Sequence, residues 1–228
     1  MKNKILAGFV LMLLGVMGAY AADFQIGIGA GGDFGLFFSR FDSSLPEPLQ
    51  SQVEERLKNQ NMNRGGFGIF LDLTYLEIDL GSKLYNVTVK EQGFDLKETQ
   101  SYFNFGITGK YPFSINDRFS LFPLAGFDFQ IFTKVKGVSG GYSIEAKRSD
   151  LSSRGLSENF FDRTVFNIGA GLDISITGGM FFRCTFIYGI NFNTKYQKEA
   201  IDALKNTGYD VSILEHGPSI KLGLGYKF

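Results

Sequence analysis

The last ten residues, SIKLGLGYKF at positions 219–228, alternate strictly between two kinds of side chain. Successive side chains of a β-strand point to opposite faces, so this segment predicts a strand with one apolar face. The second face holds lysine, serine and glycine. The apolar face consists of Ile220, Leu222, Leu224, Tyr226 and Phe228.

Seven further segments alternate in the same way, with lengths near the 9–11 residues that a tilted strand needs to cross a membrane. Short turns separate some of them and long polar connections separate the others, which is typical of outer-membrane barrels whose short turns are periplasmic. The sequence therefore predicts an all-β, eight-stranded, antiparallel, up-and-down transmembrane β-barrel with long extracellular loops. The seven segments are 24–38, 66–73, 76–84, 102–113, 119–132, 164–176 and 180–192; the short turns are 74–75, 114–118 and 177–179; the long loops are 39–65, 85–101, 133–163 and 193–218.

A soluble barrel such as a lipocalin is the alternative fold, and it would turn its apolar face inward. Composition favours the membrane barrel. The chain has 29 glycines and 25 phenylalanines among 228 residues. Its mean hydropathy is neutral, as expected when apolar and polar residues alternate. The face opposite the large apolar residues is rich in glycine, which suits a narrow lumen better than a ligand cavity.

Residues 1–21 have the pattern of a secretory signal peptide, and residues 22–228 form the predicted barrel domain. Lys2 and Lys4 precede an apolar run, and Ala19 and Ala21 supply the small residues of an A-x-A cleavage site. The run is shorter than the roughly 20 residues of a spanning helix. Removing both lysines lowers the 23 basic residues to 21, against 23 acidic ones, a net charge of about −2. No basic surplus points to nucleic acid.

The final segment resembles the terminal insertion signal of outer-membrane barrels, and the whole predicted barrel resembles the eight-stranded OmpA/OmpX-like class. That signal has a polar residue, a glycine two positions later, and aromatic residues at the third-last and last positions. Lys221, Gly223, Tyr226 and Phe228 match it. The resemblance implies a bacterial outer-membrane location, handling by periplasmic chaperones and the barrel-assembly machinery, and contact with outer-membrane lipid and lipopolysaccharide or an equivalent. The absence of Trp departs from many barrels, so Phe and Tyr would form the interfacial girdles.

Alternation also sends charged side chains of both signs into the lumen. Across turn 177–179 we expect Asp173 to face Arg183. Across turn 74–75 we expect Asp72 to face Glu77, with Lys110 as the cation between them. A paired network would plug so narrow a lumen, and an ion gate is the alternative. The predicted inward charges are Asp33, Asp72, Glu77, Asp79, Asp128 and Asp173 against Lys83, Lys110, Arg183, Lys221 and Lys227.

Other patterns carry weaker signals. The only histidine, His216, lies beside Glu215 and close to Ser219, but Ser219 points inward by phase, so His216 is interpreted as a loop residue instead of a catalytic base. The G-x-G-x-x-G pattern at 27–32 continues a strand and does not open a helix, so it is not interpreted as a dinucleotide site. We expect no cofactor and no metal site. Cys184 falls on the lipid face, and no intrachain disulfide can form.

Three local features complete the expectations. Pro123 removes a ladder donor and predicts a bulge or kink. Two loop segments, 46–58 and 197–207, have the apolar spacing of short helices, the second ending at Gly208. These helices either cover the barrel mouth or take part in surface recognition of an extracellular ligand.

The leading hypothesis is a non-enzymatic structural or adhesin-like barrel whose lumen is plugged. A narrow channel or carrier for ions or small hydrophobic molecules is the second, and a lipid-modifying enzyme is the third.

Overall fold

The computed structural model describes residues 25–58, 60–91 and 94–228. Phe24 and the predicted signal segment, with Ala19 and Ala21, lie outside the described residues. Within the described ranges, no helix combines the length and the hydropathy needed to cross a membrane.

In the part of the chain that the structure describes, long strands form a wall, and three helices and two short strands lie in its connections. The long strands are β1 (Gly27–Ser43), β2 (Gln60–Asp72), β3 (Leu76–Glu91), β4 (Phe94–Lys110), β6 (Phe119–Ser139), β8 (Arg163–Ser175), β9 (Met180–Phe192) and β10 (Val211–Lys227). The short strands, β5 (Phe113–Ser114) and β7 (Tyr142–Lys147), pair with β6. The helices are α1 (Glu47–Lys58), α2 (Ser149–Ser153) and α3 (Lys195–Asn206).

The eight long strands pair antiparallel in a closed ring. Each contacts its neighbours along the chain, and β10 returns to β1, with Lys227 opposite Gly27 and Val211 opposite Ser43. Closure leaves the wall without an unpaired edge. Large apolar residues such as Phe67 (70% exposed) and Phe34 (63% exposed) cover the outside, as a lipid-facing surface requires. The predicted eight-stranded transmembrane barrel is confirmed.

Several strands extend well beyond their predicted ends at the long-loop rim. Strand β9 has the predicted limits, whereas β2 begins six residues earlier than expected, at Gln60, and β10 begins at Val211 instead of 219. The predicted loop 85–101 is mostly strand, because β3 continues to Glu91 and β4 begins at Phe94. The long connections are therefore partly a continuation of the barrel above the membrane.

The side-chain pattern inverts in these extensions. Leu84 still faces outward and is 38% exposed, but Tyr85, Val87 and Val89 face inward and are buried. Lipid surrounds the lower wall and water surrounds the extension, so apolar side chains move from the outer face to the inner face. They build an apolar core inside the long-loop end: Phe37, Met62, Tyr85, Val87, Val89, Tyr102, Phe132, Leu151 and Val165.

Strand β6 contains one irregularity, but not where the sequence predicts it. Its register to β8 runs unbroken through Pro123, which lies opposite Ala170, so the bulge expected there is absent. Pro123 follows the end of β4 in the ladder, and its carbonyl still accepts from Tyr111 N at 3.2 Å. The position where Pro123 lacks an N–H therefore points toward the end of β4, beyond the last residue pair of the β4–β6 ladder. The bulge lies at Thr133 instead, where the register to β4 shifts.

The two predicted loop helices are present as α1 and α3. Helix α3 begins with a capping box, in which Gln197 N donates to Thr194 Oγ1 at 3.1 Å and Thr194 N donates to Gln197 Oε1 at 2.9 Å. It ends before Gly208, whose φ of +91° is the left-handed conformation that glycine adopts easily. Ile201 is the buried residue of this helix.

Candidate functional site: the charged lumen

Arg183 is the centre of a charged cluster near the short-turn end of the lumen. It lies opposite Asp173 in the β8–β9 ladder, and its Nε and Nη2 donate to the two carboxylate oxygens at 2.6 Å each. It also donates to Asp72 and Glu77, which face each other across the β2–β3 turn. With a side chain only 1% exposed, this one guanidinium contacts three carboxylates. Arginine's planar fork of donors suits such multiple pairing.

Three phenylalanine rings enclose the same guanidinium. Its Cζ atom lies 5.1 Å from the centroid of Phe70, 5.0 Å from Phe122 and 5.0 Å from Phe181. All three rings are at most 2% exposed. Cation–π contact adds an attraction of its own, and the exclusion of water strengthens the ionic interactions of Arg183.

Three lysines complete the cluster, which we call the Arg183 cluster. Lys110 bonds Asp72 at 2.7 Å, Lys221 bonds Glu77 at 2.7 Å and also Asp79, and Lys227 lies 3.3 Å from Asp173. Lys110 therefore contacts one of the facing carboxylates, while Arg183 is the cation that touches both. The cluster balances four carboxylates with four cations: Asp72, Glu77, Asp79 and Asp173 with Lys110, Arg183, Lys221 and Lys227.

The Arg183 cluster is linked to the short β2–β3 turn. Thr74 has a φ of +61°, which is unfavourable for a β-branched residue. Its N–H donates to Asp72 Oδ1 at 3.0 Å, and its hydroxyl accepts from Gln25 N at 2.8 Å. These bonds hold the strained turn and orient Asp72 toward the lumen.

A second charged group lies at the long-loop end. Arg163 donates to Tyr102 Oη at 3.0 Å, Glu215 Oε2 at 3.0 Å and Gln100 Oε1 at 3.1 Å. Glu215 also accepts from Asn191 at 2.7 Å. The sequence-based prediction does not place Arg163 and Glu215 in the lumen, because it begins β8 at residue 164 and β10 at residue 219. Extending the inward phase of each strand by a few residues would have found them.

Between these groups lies a third set of charges around Asp33. Its carboxylate pairs with Lys83 at 2.6 Å and with Arg64 at 3.4 Å. Arg64 is fully buried and donates to Ser219 Oγ at 2.5 Å. The sequence-based prediction does not include Arg64 as a lumen residue. Asp128 faces the same region.

A cavity of about 50 Å³ separates the Arg183 cluster from the upper groups, enough for a few water molecules. Asp79, Asn104, Asp128 and Asn167 are among the residues that line it. Among the described residues, the buried side-chain oxygens Asn104 Oδ1 and Asn167 Oδ1 have no protein partner. The middle of the lumen is therefore polar, and both ends are densely filled, the long-loop end in part by the apolar core.

The residues considered for hydrolysis lie on opposite sides of the wall. His216 is in β10, not in a loop as predicted, and it faces outward, hydrogen-bonded to Tyr188 and 6.2 Å from the Phe38 ring. Ser219 is 2% exposed and faces the lumen. A nucleophile and its base must be in hydrogen-bond reach, and this pair is separated by the β-sheet. No group of three or more acidic, histidine or cysteine side chains placed to hold a metal occurs in the described ranges.

The residues of the predicted assembly signal occupy both faces of β10. Lys221 belongs to the Arg183 cluster, and a Cβ on Gly223 would lie 3.0 Å from the Phe70 ring. Tyr226 and Phe228 face outward, with ring centroids 5.2 Å apart. Both edges of β10 are paired in the closed barrel, so its edge is available for strand addition only before closure.

Comparisons with known proteins identify the family. The family model described as outer membrane protein beta-barrel domain matches residues 7–228. No curated protein sequence matches the chain. Similar solved structures include Neisserial surface protein A (11% identity, 89% of this chain and 97% of that one, TM-score 0.47), OprG from Pseudomonas aeruginosa (13%, 90% and 96%, TM-score 0.40) and Ail of Yersinia pestis with a heparin analogue (16%, 89% and 99%, TM-score 0.35). At these TM-scores the similarity carries no functional argument. The match over residues 7–228 places the chain in the family of outer-membrane β-barrel proteins.

Proposed function

We propose that this chain is a non-enzymatic barrel of the bacterial outer membrane that displays its long-loop end to the outside, in a structural or adhesin-like role, with a lumen closed by the Arg183 cluster. The observation that carries the proposal is the packing of Arg183 among three carboxylates and three phenylalanine rings.

The energetics of the cluster support a plug over a gate. An ion passing the short-turn end would have to displace Arg183 from its carboxylates. Separating one partner from a buried ion pair costs about 3–5 kcal/mol, and Arg183 has three such partners. An eight-stranded barrel is only wide enough for its own side chains, so no second route bypasses the cluster.

The order of the long-loop end supports a display role. Gln197 in the first turn of α3 donates to Glu215 of the barrel at 2.7 Å, and Tyr196 N donates to Phe160 O at 3.1 Å. The last two long loops are thus joined to each other and to the barrel, and loops on a rigid scaffold commonly carry recognition. Tyr142 and Ile144 in β7 are 81% and 70% exposed above the barrel.

A narrow channel is the second candidate, favoured by one observation. The buried oxygens of Asn104 and Asn167 line the 50 Å³ cavity without a protein partner, so the middle of the lumen can hold water. The two filled ends argue against a continuous path.

Cysteine labelling tests location and orientation. In a Cys184→Ala background, Ile144→Cys is at the long-loop end and Thr177→Cys is in a short turn. A membrane-impermeant maleimide should label Ile144→Cys in intact cells and Thr177→Cys only after the outer membrane is permeabilised. Labelling of position 177 but not 144 in intact cells would reverse the orientation. Labelling of neither after permeabilisation of a folded protein would remove the display role.

A further inference from the structure

We propose that Lys134, Lys136 and Lys147 bind the phosphate of an anionic glycolipid headgroup in the outer leaflet, an inference that rests on the proposed orientation. The three lysines lie on the outer face of β6 and β7, and all three are exposed.

The Thr133 bulge determines which way two of these lysines point. Below it, the outward residues of β6 are odd-numbered and include Phe129 and Ile131. Ser101 pairs with Lys134 and Tyr102 with Phe132, so Thr133 is the extra residue. Its hydroxyl donates to Ser101 O at 2.8 Å. A continuous strand would turn Lys134 inward, whereas the bulge places it outward, directly above the apolar band.

The lysines lie at the height of lipid headgroups. From Phe119 to Ile131, β6 makes about twelve residue steps, which span roughly 30 Å of height at about 3.3 Å per residue and a tilt of about 40°. The apolar band of outer-membrane barrels is about 25 Å tall, so a row above Ile131 lies at or beyond the upper edge of that band. On β4 the apolar band ends at the same level, because Phe103 lies opposite Ile131 and Ser101 lies opposite Lys134. The first polar row above the lipid chains therefore contains Lys134.

Register brings the ammonium groups together. Lys134 lies directly opposite Lys147, an arrangement of like charges that is destabilising without an anion between them. Lys136 is two residues further along β6, on the same face. Facing residues are about 5 Å apart and next-but-one residues about 7 Å apart, so three flexible ammonium groups can reach one phosphate.

Two nearby carboxyl groups, those of Glu145 and Asp150, reduce the charge of the three lysines to a surplus of about one positive charge. Glu145 lies opposite Lys136 on the same face. Asp150 accepts the backbone N–H of Lys147 at 2.9 Å, and this bond lowers the pKa of the Asp150 carboxyl. A lipid phosphate at this height neutralises part of the positive charge, and the acyl chains of the same lipid lie against the apolar band below. A free anion in water makes only the first of these two contacts.

Native mass spectrometry of the folded full chain in detergent, titrated with diphosphoryl lipid A, tests the site. Lys134→Gln with Lys147→Gln should weaken binding at least tenfold, since each lysine near an anionic surface contributes about fivefold. Lys198→Gln with Lys205→Gln, the same charge change on exposed α3, should change binding less than twofold. Glu145→Gln should tighten binding by about fivefold, a gain that misfolding cannot produce. Phosphatidylcholine should show no difference between variants.

Equal weakening by both lysine pairs, or no gain from Glu145→Gln, would overturn the site. Loss of lipid A binding when equimolar inorganic phosphate is added would assign the lysines to a free anion and overturn the headgroup. The labelling experiment separates failures: correct orientation with no lysine effect rejects only this inference, whereas inverted orientation rejects the proposed function itself.

Discussion

Asp173 and Arg183 lie directly opposite each other on neighbouring strands, and the guanidinium bonds both carboxylate oxygens in a two-pronged pair. A turn of three residues, Thr177 to Gly179, determines this register, and two of them, Gly178 and Gly179, have φ values of +55° and +85°. The pair thus follows from the local sequence, and the long-range contacts of Arg183 to Asp72 and Glu77 follow from barrel closure.

Arg183→Met should lower the free energy of unfolding by about 3–5 kcal/mol, because it leaves buried carboxylates without their cation. Urea titration in phospholipid vesicles, followed by far-UV circular dichroism, measures this change. Arg40→Met is the matched control: Arg40 pairs with Asp42 on the surface, with side chains 69% and 62% exposed, and its loss should cost less than about 1 kcal/mol. Equal losses for both variants would contradict the account.

Gly171→Ala should destabilise the barrel by about 1–3 kcal/mol, because the added Cβ would lie 2.2 Å from Phe122 Cζ and would push that ring against Arg183. Gly137→Ala, in the extension of β6, meets nothing within 4 Å and should change stability by less than about 0.5 kcal/mol. The same urea titration compares them. A neutral Gly171→Ala variant would mean that the Phe122 packing is looser than described.

Thr194→Val removes the hydroxyl that accepts from Gln197 N in the α3 capping box, and it should cost about 1 kcal/mol of local stability. Hydrogen exchange in the first turn of α3 should accelerate about fivefold, while exchange in the barrel wall stays unchanged. Thr207→Val, at the other end of the helix, is the control and should leave the first turn unaffected. Unchanged exchange in Thr194→Val would show that other contacts fix the loop.

Lipid A from cells that express the chain should have the same mass spectrum as lipid A from cells without it, and His216→Ala should make no difference. His216 and Ser219 face opposite sides of the wall, so they cannot form a nucleophile–base pair. A modified lipid that appears with the wild type and disappears with His216→Ala would restore the enzyme hypothesis.

The central parts of the strands and the charged residues near the short turns were predictable. Both follow from the alternation of inward and outward side chains along each strand, counted from the short turns. Asp173, Arg183, Asp72 and Glu77 lie close to those turns, where an error of register has little room to accumulate. The contact of Arg183 with Glu77 was not predictable, since it joins residues 106 positions apart across a closed barrel.

The upper half was harder to predict for a physical reason. Tyr85, Val87 and Val89 keep the alternation but reverse its direction, because water replaces lipid outside the wall. A search for outward apolar residues therefore interprets this extension as loop. The bulge at Thr133 shifts the alternation again, and no residue type around Thr133 indicates a bulge. Pro123 does indicate a bulge, but none occurs there.

Single-channel recording of the wild-type barrel in planar bilayers tests the plugged lumen most directly. With Arg183 held by Asp72, Glu77 and Asp173, we predict no discrete openings in concentrated KCl. Discrete openings in the wild type that Arg183→Ala or Asp173→Ala abolishes would contradict the plug and show that the cluster is a gate.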